Sequence, residues 1–180
     1  MCLLNDRIAV PIEDDDPYSR LRPPAPTPLE EVCACPADTP LVLQSHLSAN
    51  PLTCARCNLE VPPEAIGFDR KLADAIAWWC DFHNCFYFLW LDSGEFEVWA
   101  AGILKDPSSR VNTEGRELAR RLGARRHCYL WWFRENAATD WVPATNCPCC
   151  SKELEERFSH ERPSRGSLRV CEDCLVALAV

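Results

Sequence analysis

The pattern of hydrophobic and polar positions along the chain predicts a strand and then a helix in its first half. The segment 41–47 is short and mostly apolar, as is typical of a strand. A helix is expected to open at residues 62–64, because apolar residues beyond this point recur at intervals of three and four. They form one stripe: Leu72, Ile76 and Trp79.

A β-hairpin is expected next. Residues 86–91 are aromatic and strand-like, and residues 92–94 suit a turn. Phe96 and Val98 then alternate with acidic residues, as in a strand with one buried face. Two such strands joined by a short turn are expected to pair in antiparallel fashion.

A second helix and a buried strand follow in the prediction. Asn112 is a candidate N-cap for this helix and Gly123 a candidate stop. Leu118 and Leu122 are expected on its buried side. Residues 128–133 are apolar on both faces, which indicates a central strand.

Four of the 13 cysteines have the spacing of a zinc ribbon. They form the C-x2-C pairs Cys147/Cys150 and Cys171/Cys174. Each pair can place two thiolates on one tight turn, and two such turns can close a tetrahedron around one Zn²⁺. The sequence therefore predicts one structural zinc ion here, and the alternatives are iron at the same spacing and free or redox-active thiols.

Cys54 and Cys57 form a third C-x2-C pair, which is half of a second metal site. The candidates for the two missing ligands are Cys80, His83, Cys85, Cys128 and the pair Cys33 and Cys35. The alternative is a reduced pair that stabilises a turn without metal. Asn58 follows this pair and is expected to adopt the left-handed backbone conformation usually given to glycine. One zinc ion is thus predicted, and a second is left open.

The first 40 residues differ in composition from the rest. Residues 11–40 contain eight prolines and the acidic run 13–16, so long helices and ladders are not expected there. This proline-rich acidic arm (1–40) is predicted to be a solvated tail or, alternatively, a strap over a basic surface. It precedes an α+β domain (41–142) and a zinc ribbon (143–180). The expected fold class is α+β, with an antiparallel sheet, two helices and the C-terminal ribbon.

Charge is unevenly distributed along the chain. The net charge of −8 combines 6 basic and 16 acidic residues in 1–104 with 13 basic and 11 acidic residues in 105–180. A basic ridge is predicted on and just after the second helix: Arg116, Arg120, Arg121, Arg125 and Arg126. Guanidinium groups in this arrangement could bind the phosphates of a nucleic acid. The alternative is a solvated helix face that pairs with the acidic half of the chain.

Most of the seven tryptophans are expected in the core. Trp78 and Trp132 each neighbour a tryptophan that is expected to face inward. They are therefore the candidates for exposed rings that stack on unpaired bases.

Catalysis has no support in the sequence. No H-E-x-x-H, G-x-S-x-G or phosphate-binding glycine loop is present, so no catalytic residue and no small-molecule substrate are expected. The first residues lack a basic and then apolar leader, and no apolar run approaches about 20 residues. The prediction is a cytoplasmic protein without membrane contact.

The ordered motifs resemble a bacterial family of zinc-ribbon-containing proteins described as nucleic-acid-binding. The resemblance covers about residues 41–180 and rests on the lead-in 42–46, Cys54-x-x-Cys57, Val61-Pro62, the strand 129–133, Cys147-Pro-x-Cys150 and Cys171-x-x-Cys174-Leu175. It implies a zinc ribbon and a nucleic-acid partner. Ser151 departs from the family pattern, which has glycine after the Cys-Pro-x-Cys pair.

The predicted function is that of a non-catalytic zinc-ribbon protein that binds nucleic acid or belongs to a nucleic-acid-associated complex. The alternative is an acidic, immunity-type inhibitor whose negative half blocks a basic toxin or another protein partner. A plain structural adaptor is the third hypothesis.

Overall fold

The computed structural model describes residues 16–45, 49–135, 142–158 and 167–179 of the chain, and within them three α-helices and one sheet. The helices are α1 (Arg70–Asp92), α2 (Glu97–Lys105) and α3 (Arg110–Gly123). The strands are β1 (Leu41–Leu43), β2 (Leu52–Cys54), β3 (Cys128–Trp131), β4 (Glu155–Arg157), β5 (Leu168–Cys171) and β6 (Val176–Ala179). The α+β class is confirmed. Residues 46 and 47 of the predicted first strand lie outside the described ranges.

The six strands form one mixed sheet in the order β2-β1-β3-β6-β5-β4. The two central pairings, β1 with β3 and β3 with β6, are parallel, and the outer pairings are antiparallel. The purely antiparallel sheet that was expected is therefore wrong. A parallel pair needs a long crossover, and the helices between β1 and β3 supply one. Because β6 pairs with β3, the sheet continues across the boundary predicted at residues 142 and 143.

The predicted hairpin is also wrong, because both of its strands are helical. Residues 86–91 belong to α1, which spans 23 residues, and Val98 lies in α2. Gly94, with φ 64°, lies in the turn between the two helices. The aromatic rings that suggested a strand recur at helical spacing, and the rings of Phe82 and Phe86 lie 5.2 Å apart. Side-chain packing along one helix face therefore outweighs the strand propensity of aromatic residues.

The helix α3 begins three residues earlier than predicted. The hydroxyl of Ser109, rather than Asn112, caps it by accepting from the Asn112 N–H at 3.4 Å. Asn112 is buried instead, and its amide donates to the carbonyls of Leu104 and Asp106 at 2.9 and 2.8 Å. This polar side chain thereby ties the end of α2 to the start of α3.

The main core lies between the sheet and the pair α1 and α3. Trp79 is almost completely buried, and its indole N–H donates to the Val111 carbonyl at 2.9 Å. Trp132 is buried too, so the expectation that its ring is exposed is wrong. Trp78, by contrast, is 42% exposed. Within the described ranges, none of the helices has the length and apolar character needed to cross a membrane.

Residues 16–40 of the arm pack against the domain and are not a solvated tail. Leu21 is completely buried, and the Tyr18 hydroxyl donates to the Phe68 carbonyl at 2.7 Å. The guanidinium of Arg20 pairs with Asp81 on α1 at 3.2 Å. Residues 13–15 of the acidic run lie outside the described ranges.

Candidate metal centres and arginine surface

The C-terminal cluster consists of Cys147, Cys150, Cys171 and Cys174. Its four sulfur atoms all lie within 4.8 Å of one another, and those of Cys150 and Cys171 are 3.7 Å apart. A zinc ion with thiolates at about 2.3 Å has sulfur–sulfur edges of about 3.8 Å, whereas a disulfide needs about 2.05 Å. The spacing of this cluster therefore fits a tetrahedral metal site.

Two tight turns build the C-terminal cluster. In the first, the Ser151 N–H donates to the Cys147 carbonyl at 2.9 Å, and the Cys149 N–H donates to the Cys147 sulfur at 3.4 Å. The second is the connection between β5 and β6, which contains Cys174. Ser151 and Leu175, which follow the second cysteine of their pairs, have φ of 60° and 53°. Left-handed backbone costs a non-glycine residue on the order of 1 kcal/mol, and a bound metal would offset this strain.

The N-terminal cluster consists of Cys33, Cys35, Cys54 and Cys57, whose sulfur atoms also lie within 4.8 Å of one another. Among the candidates for the two missing ligands, the fold brings Cys33 and Cys35 of the arm close to Cys54 and Cys57. The others, Cys80, His83, Cys85 and Cys128, lie outside this cluster.

Backbone pairing brings the arm to the N-terminal cluster. The Cys33 N–H donates to the Glu60 carbonyl at 2.8 Å, and the Glu60 N–H donates to the Glu31 carbonyl at 3.0 Å. On the other side, Asn58 has φ 60° and its N–H donates to the Cys54 carbonyl at 2.8 Å. The left-handed conformation predicted for Asn58 is confirmed. These bonds bring both pairs of thiols to the same place in the fold.

In each cluster, thiols with a raised pKa lie beside one thiol with a lowered pKa. Burial, together with the neighbouring thiols, raises the pKa of Cys35 to about 11 and shifts that of Cys33 in the same direction. Burial likewise raises the pKa of Cys174, whereas the Lys152 N–H lowers that of Cys150 to about 7. Where one thiol of such a set is ionised, its negative charge disfavours ionisation of the neighbouring thiols. A divalent cation would supply the missing positive charge.

A polar network fixes the second turn of the C-terminal cluster to the sheet. Glu172 lies between Cys171 and Cys174 and accepts from the Tyr129 hydroxyl at 2.7 Å. Its carboxylate also lies 3.2 Å from both Arg157 and His127. The network therefore holds this turn against β3 and β4.

The five arginines predicted as a ridge do not share one surface. Arg126 is only 8% exposed and its guanidinium donates to the Thr39 carbonyl, so it is corrected to a buried structural residue. Arg116 is half-buried and donates to the Pro107 carbonyl at 3.0 Å. Arg120 and Arg125 are exposed and Arg121 is half-buried. We refer to these last three side chains as the arginine surface.

A groove of about 400 Å³ between α1 and α3 adjoins the arginine surface. Its lining includes Ala75, Trp78, Leu118, Arg110, Glu114 and Arg121. The Arg110 guanidinium lies 4.8 Å from the ring centroid of Trp78. The sequence indicated an exposed ring at Trp78, but only the packing of α3 against α1 shows that it lies beside arginines.

The second exposed feature, the outer face of α2, was missed from the sequence. Phe96, Val98 and Trp99 are 48%, 87% and 55% exposed. The residues 97–105 are apolar at nearly every position, and this signal would have indicated a helix with two apolar faces. The two-residue alternation at 96–98 was too short to decide between helix and strand.

Comparison of the chain with protein-family models, with curated proteins and with solved structures found no match. The resemblance of its motifs to a zinc-ribbon family therefore remains a proposal.

Proposed function

We propose that the protein is a non-catalytic zinc-ribbon protein that holds two structural Zn²⁺ ions and binds nucleic acid. The single observation that supports it most is the pair of four-cysteine clusters, each with its sulfur atoms within 4.8 Å of one another. Sets of four thiolates favour zinc or iron–sulfur chemistry over the harder cations. A closed set of four protein ligands leaves no open position for water or substrate, so the metals would stabilise and not catalyse.

The two metal ions would have different structural roles. At the N-terminal cluster, the ion would join the arm to the turn that contains Cys54 and Cys57. At the C-terminal cluster, it would join the turn at residues 147–150 to the connection between β5 and β6. Since β6 occupies a central position in the sheet, the second ion supports the whole domain.

The arginine surface supports the nucleic-acid part of the proposal. Residues 110–125 contain five arginines and two glutamates, a net charge of +3 in a chain of net −8. Arg120 pairs with Glu117 at 2.6 Å, which leaves several of its five N–H donors for another acceptor. Guanidinium groups bind phosphates in bidentate fashion, and released counterions favour the complex at low salt.

Native mass spectrometry of the full chain tests the metal part. The expected result is two Zn²⁺ ions per chain and their loss on treatment with a strong chelator. A mass shift for iron at either cluster would contradict the identity of the metal, and one ion or none would contradict the two sites.

Salt-dependent binding to an oligonucleotide tests the nucleic-acid part. Replacing Arg120, Arg121 and Arg125 together by Gln should weaken binding and reduce the log–log salt slope by about 0.7–0.9 per lost phosphate contact. Replacing Arg56, Arg70 and Lys71 by Gln is the matched control, because these exposed cations change the net charge equally but lie elsewhere. Equal loss in both triple variants would show that only net charge matters, and absent binding in the wild type would reject the proposal.

A protein partner is the second candidate, and the exposed face of α2 favours it. Val98 and Trp99 form an apolar patch, with the acidic residues Asp92, Glu95 and Glu97 close by in sequence. An exposed apolar centre with an acidic rim suits an inhibitor of a basic protein. If this hypothesis holds, the wild type neutralises a toxin encoded beside the gene, and a Val98→Asp variant does not. The triple arginine variant would still neutralise it.

A further inference from the structure

We infer that the groove between α1 and α3 takes up one base of a single-stranded nucleic acid, with Trp78 as the surface on which the base stacks. This inference rests on the proposed nucleic-acid binding and specifies the form of the ligand. The groove has a volume of about 400 Å³, which lies within the range of small-molecule sites. Arg121 lines the groove, so it opens directly onto the arginine surface.

Trp78 is the exposed ring within an otherwise buried stretch of α1. It is 42% exposed, whereas the adjacent Trp79 is 1% exposed and packed in the core. Two neighbours orient the ring: Phe82 stacks on it at 5.2 Å with an interplanar angle of 24°, and the Arg110 guanidinium lies over it at 4.8 Å from its centroid. A large aromatic ring that is both oriented and open to solvent is the arrangement on which bases stack in single-strand-binding proteins.

The rim of the groove has the polar groups that a nucleotide requires. Arg110 and Arg121 line it together with Glu114 and Glu117. Arg110 pairs with Glu114 at 2.7 Å, and both partners keep further donors or acceptors available. A carboxylate accepts from the exocyclic amino group of a base, and a guanidinium donates to phosphate. Arg120 pairs with Glu117 of the lining, and Arg125 follows Arg121 by four residues, so both suit the phosphates of neighbouring nucleotides.

The position of the ring favours a single strand over a duplex. In a duplex, each base is stacked on both faces by its neighbours and presents only its edge in a groove. Stacking on Trp78 requires a free face, which an unpaired base offers without an unpairing cost. Arg110 and Arg121 next to the ring offer guanidinium donors to the phosphates of a strand, a need that an apolar peptide lacks.

The test compares two tryptophans that are exposed to a similar degree. The zinc-loaded full chain is titrated, by fluorescence anisotropy, into a single-stranded RNA of about 12 nucleotides and into the matching duplex. Trp78→Leu should weaken single-strand binding about 10-fold or more, at an unchanged salt slope, because it removes stacking and no charge. Trp99→Leu, on α2 and outside the groove, should change it by less than about twofold. The duplex should bind more weakly than the single strand.

Other results would overturn the inference while leaving the proposed function in place. If the triple arginine variant loses binding but Trp78→Leu does not, nucleic acid binds without this ring. Equal loss in the two tryptophan variants, or tighter binding of the duplex, would have the same meaning. If the wild type binds neither form at low salt, the proposed function itself fails.

A second measurement covers the case in which Trp78→Leu does not fold. Trp78→Phe keeps an aromatic ring and should retain most of the binding, to within about fivefold. Photo-crosslinking of the wild type to an RNA that carries 5-bromouridine should label the peptide that contains Trp78. Labelling confined to other peptides would overturn the inference.

Discussion

The cysteines show how a residue's chemistry depends on its neighbours. Eight of the twelve within the described ranges belong to the two clusters, and four lie outside them. Of these four, Cys85 is exposed, Cys149 is half-buried, and Cys80 and Cys128 are buried. Burial raises the pKa of Cys128 to about 12, because the thiolate would lie in an apolar core. The same side chain therefore occurs here as a candidate metal ligand, a surface thiol and a core residue.

The raised pKa of the buried Cys128 thiol predicts a loss of stability in alkali. Its thiol keeps its proton up to about pH 12 in the folded chain, but ionises near the usual value of 9.0 when unfolded. The unfolded state therefore loses the proton first. The free energy of unfolding should fall by about 2 kcal/mol by about pH 10.5. Urea unfolding of the zinc-loaded wild type and of Cys128→Ala, each at neutral pH and at about pH 10.5, measures this effect. A pH dependence that is equal in the two proteins would contradict it.

The position of Cys33 in the N-terminal cluster predicts that a metal ion there joins the arm to the domain. Cys33→Ser removes one thiolate and should lower the zinc content by one ion per chain while the C-terminal ion stays bound. Residues 16–40 should then become more sensitive to limited proteolysis, because the metal no longer joins them to the domain. Cys85→Ser is the matched control, since that thiol is exposed and outside both clusters. A full zinc content in Cys33→Ser would exclude it as a ligand.

At the scale of elements, the close contact of α3 with the sheet is decided by one residue. A Cβ at Gly115 would lie 2.9 Å from the Leu130 side chain and 3.0 Å from the Trp79 indole nitrogen. The helix can therefore approach β3 only because this position carries no side chain. Gly102 on α2 is the opposite case, because nothing lies within 4 Å of the position its Cβ would take.

These two glycines predict stability changes of opposite sign. Gly115→Ala should destabilise the fold by about 1–3 kcal/mol, because the buried Leu130 and Trp79 side chains must shift to admit the methyl group. Gly102→Ala should stabilise it by up to about 1 kcal/mol, since alanine loses less backbone entropy in an exposed helix. Thermal and urea unfolding of the two variants test the pair. Destabilisation by Gly102→Ala would instead indicate that this helix face is covered in solution.

At the scale of the whole molecule, the position of β6 couples the C-terminal cluster to the core. The residues from 143 onward do not form a separate lobe in the described ranges, because β6 pairs with β3 and β3 pairs with β1. Cys171 belongs to both the sheet and the cluster, since it is the last residue of β5. Loss of this metal should therefore affect strands on both sides of β6.

This coupling predicts how the chain responds to loss of the C-terminal metal. Cys171→Ser should lower the zinc content by one ion and shift the unfolding of the entire domain to a lower temperature, in a single transition. The near-UV signal of the tryptophans should disappear in that same transition, because the buried rings pack on the sheet. Two separate transitions, with the tryptophan signal retained through the first, would mean that residues 143–180 fold independently.

Much of the candidate metal chemistry was readable in the sequence, because it depends on local spacing. A C-x2-C pair places two thiols on one turn whatever the rest of the fold does, so the four cysteines that the structure groups in the C-terminal cluster were readable from the sequence as a set. The left-handed Asn58 was equally local. The helix α3 and the strand β3 were found from apolar periodicity, with errors of a few residues at their ends.

Tertiary structure alone decided the remaining features. The path of the arm decides which cysteines join Cys54 and Cys57 in the N-terminal cluster. The separation of residues 35 and 54 in the sequence does not tell how far apart they lie in the fold. The parallel pairings depend on where the crossover helices return the chain. The same holds for the burial of Arg126 and for the groove beside Trp78, since both arise where elements distant in sequence pack together. Local spacing determined which side chains are close along the chain, and packing determined which surfaces they share.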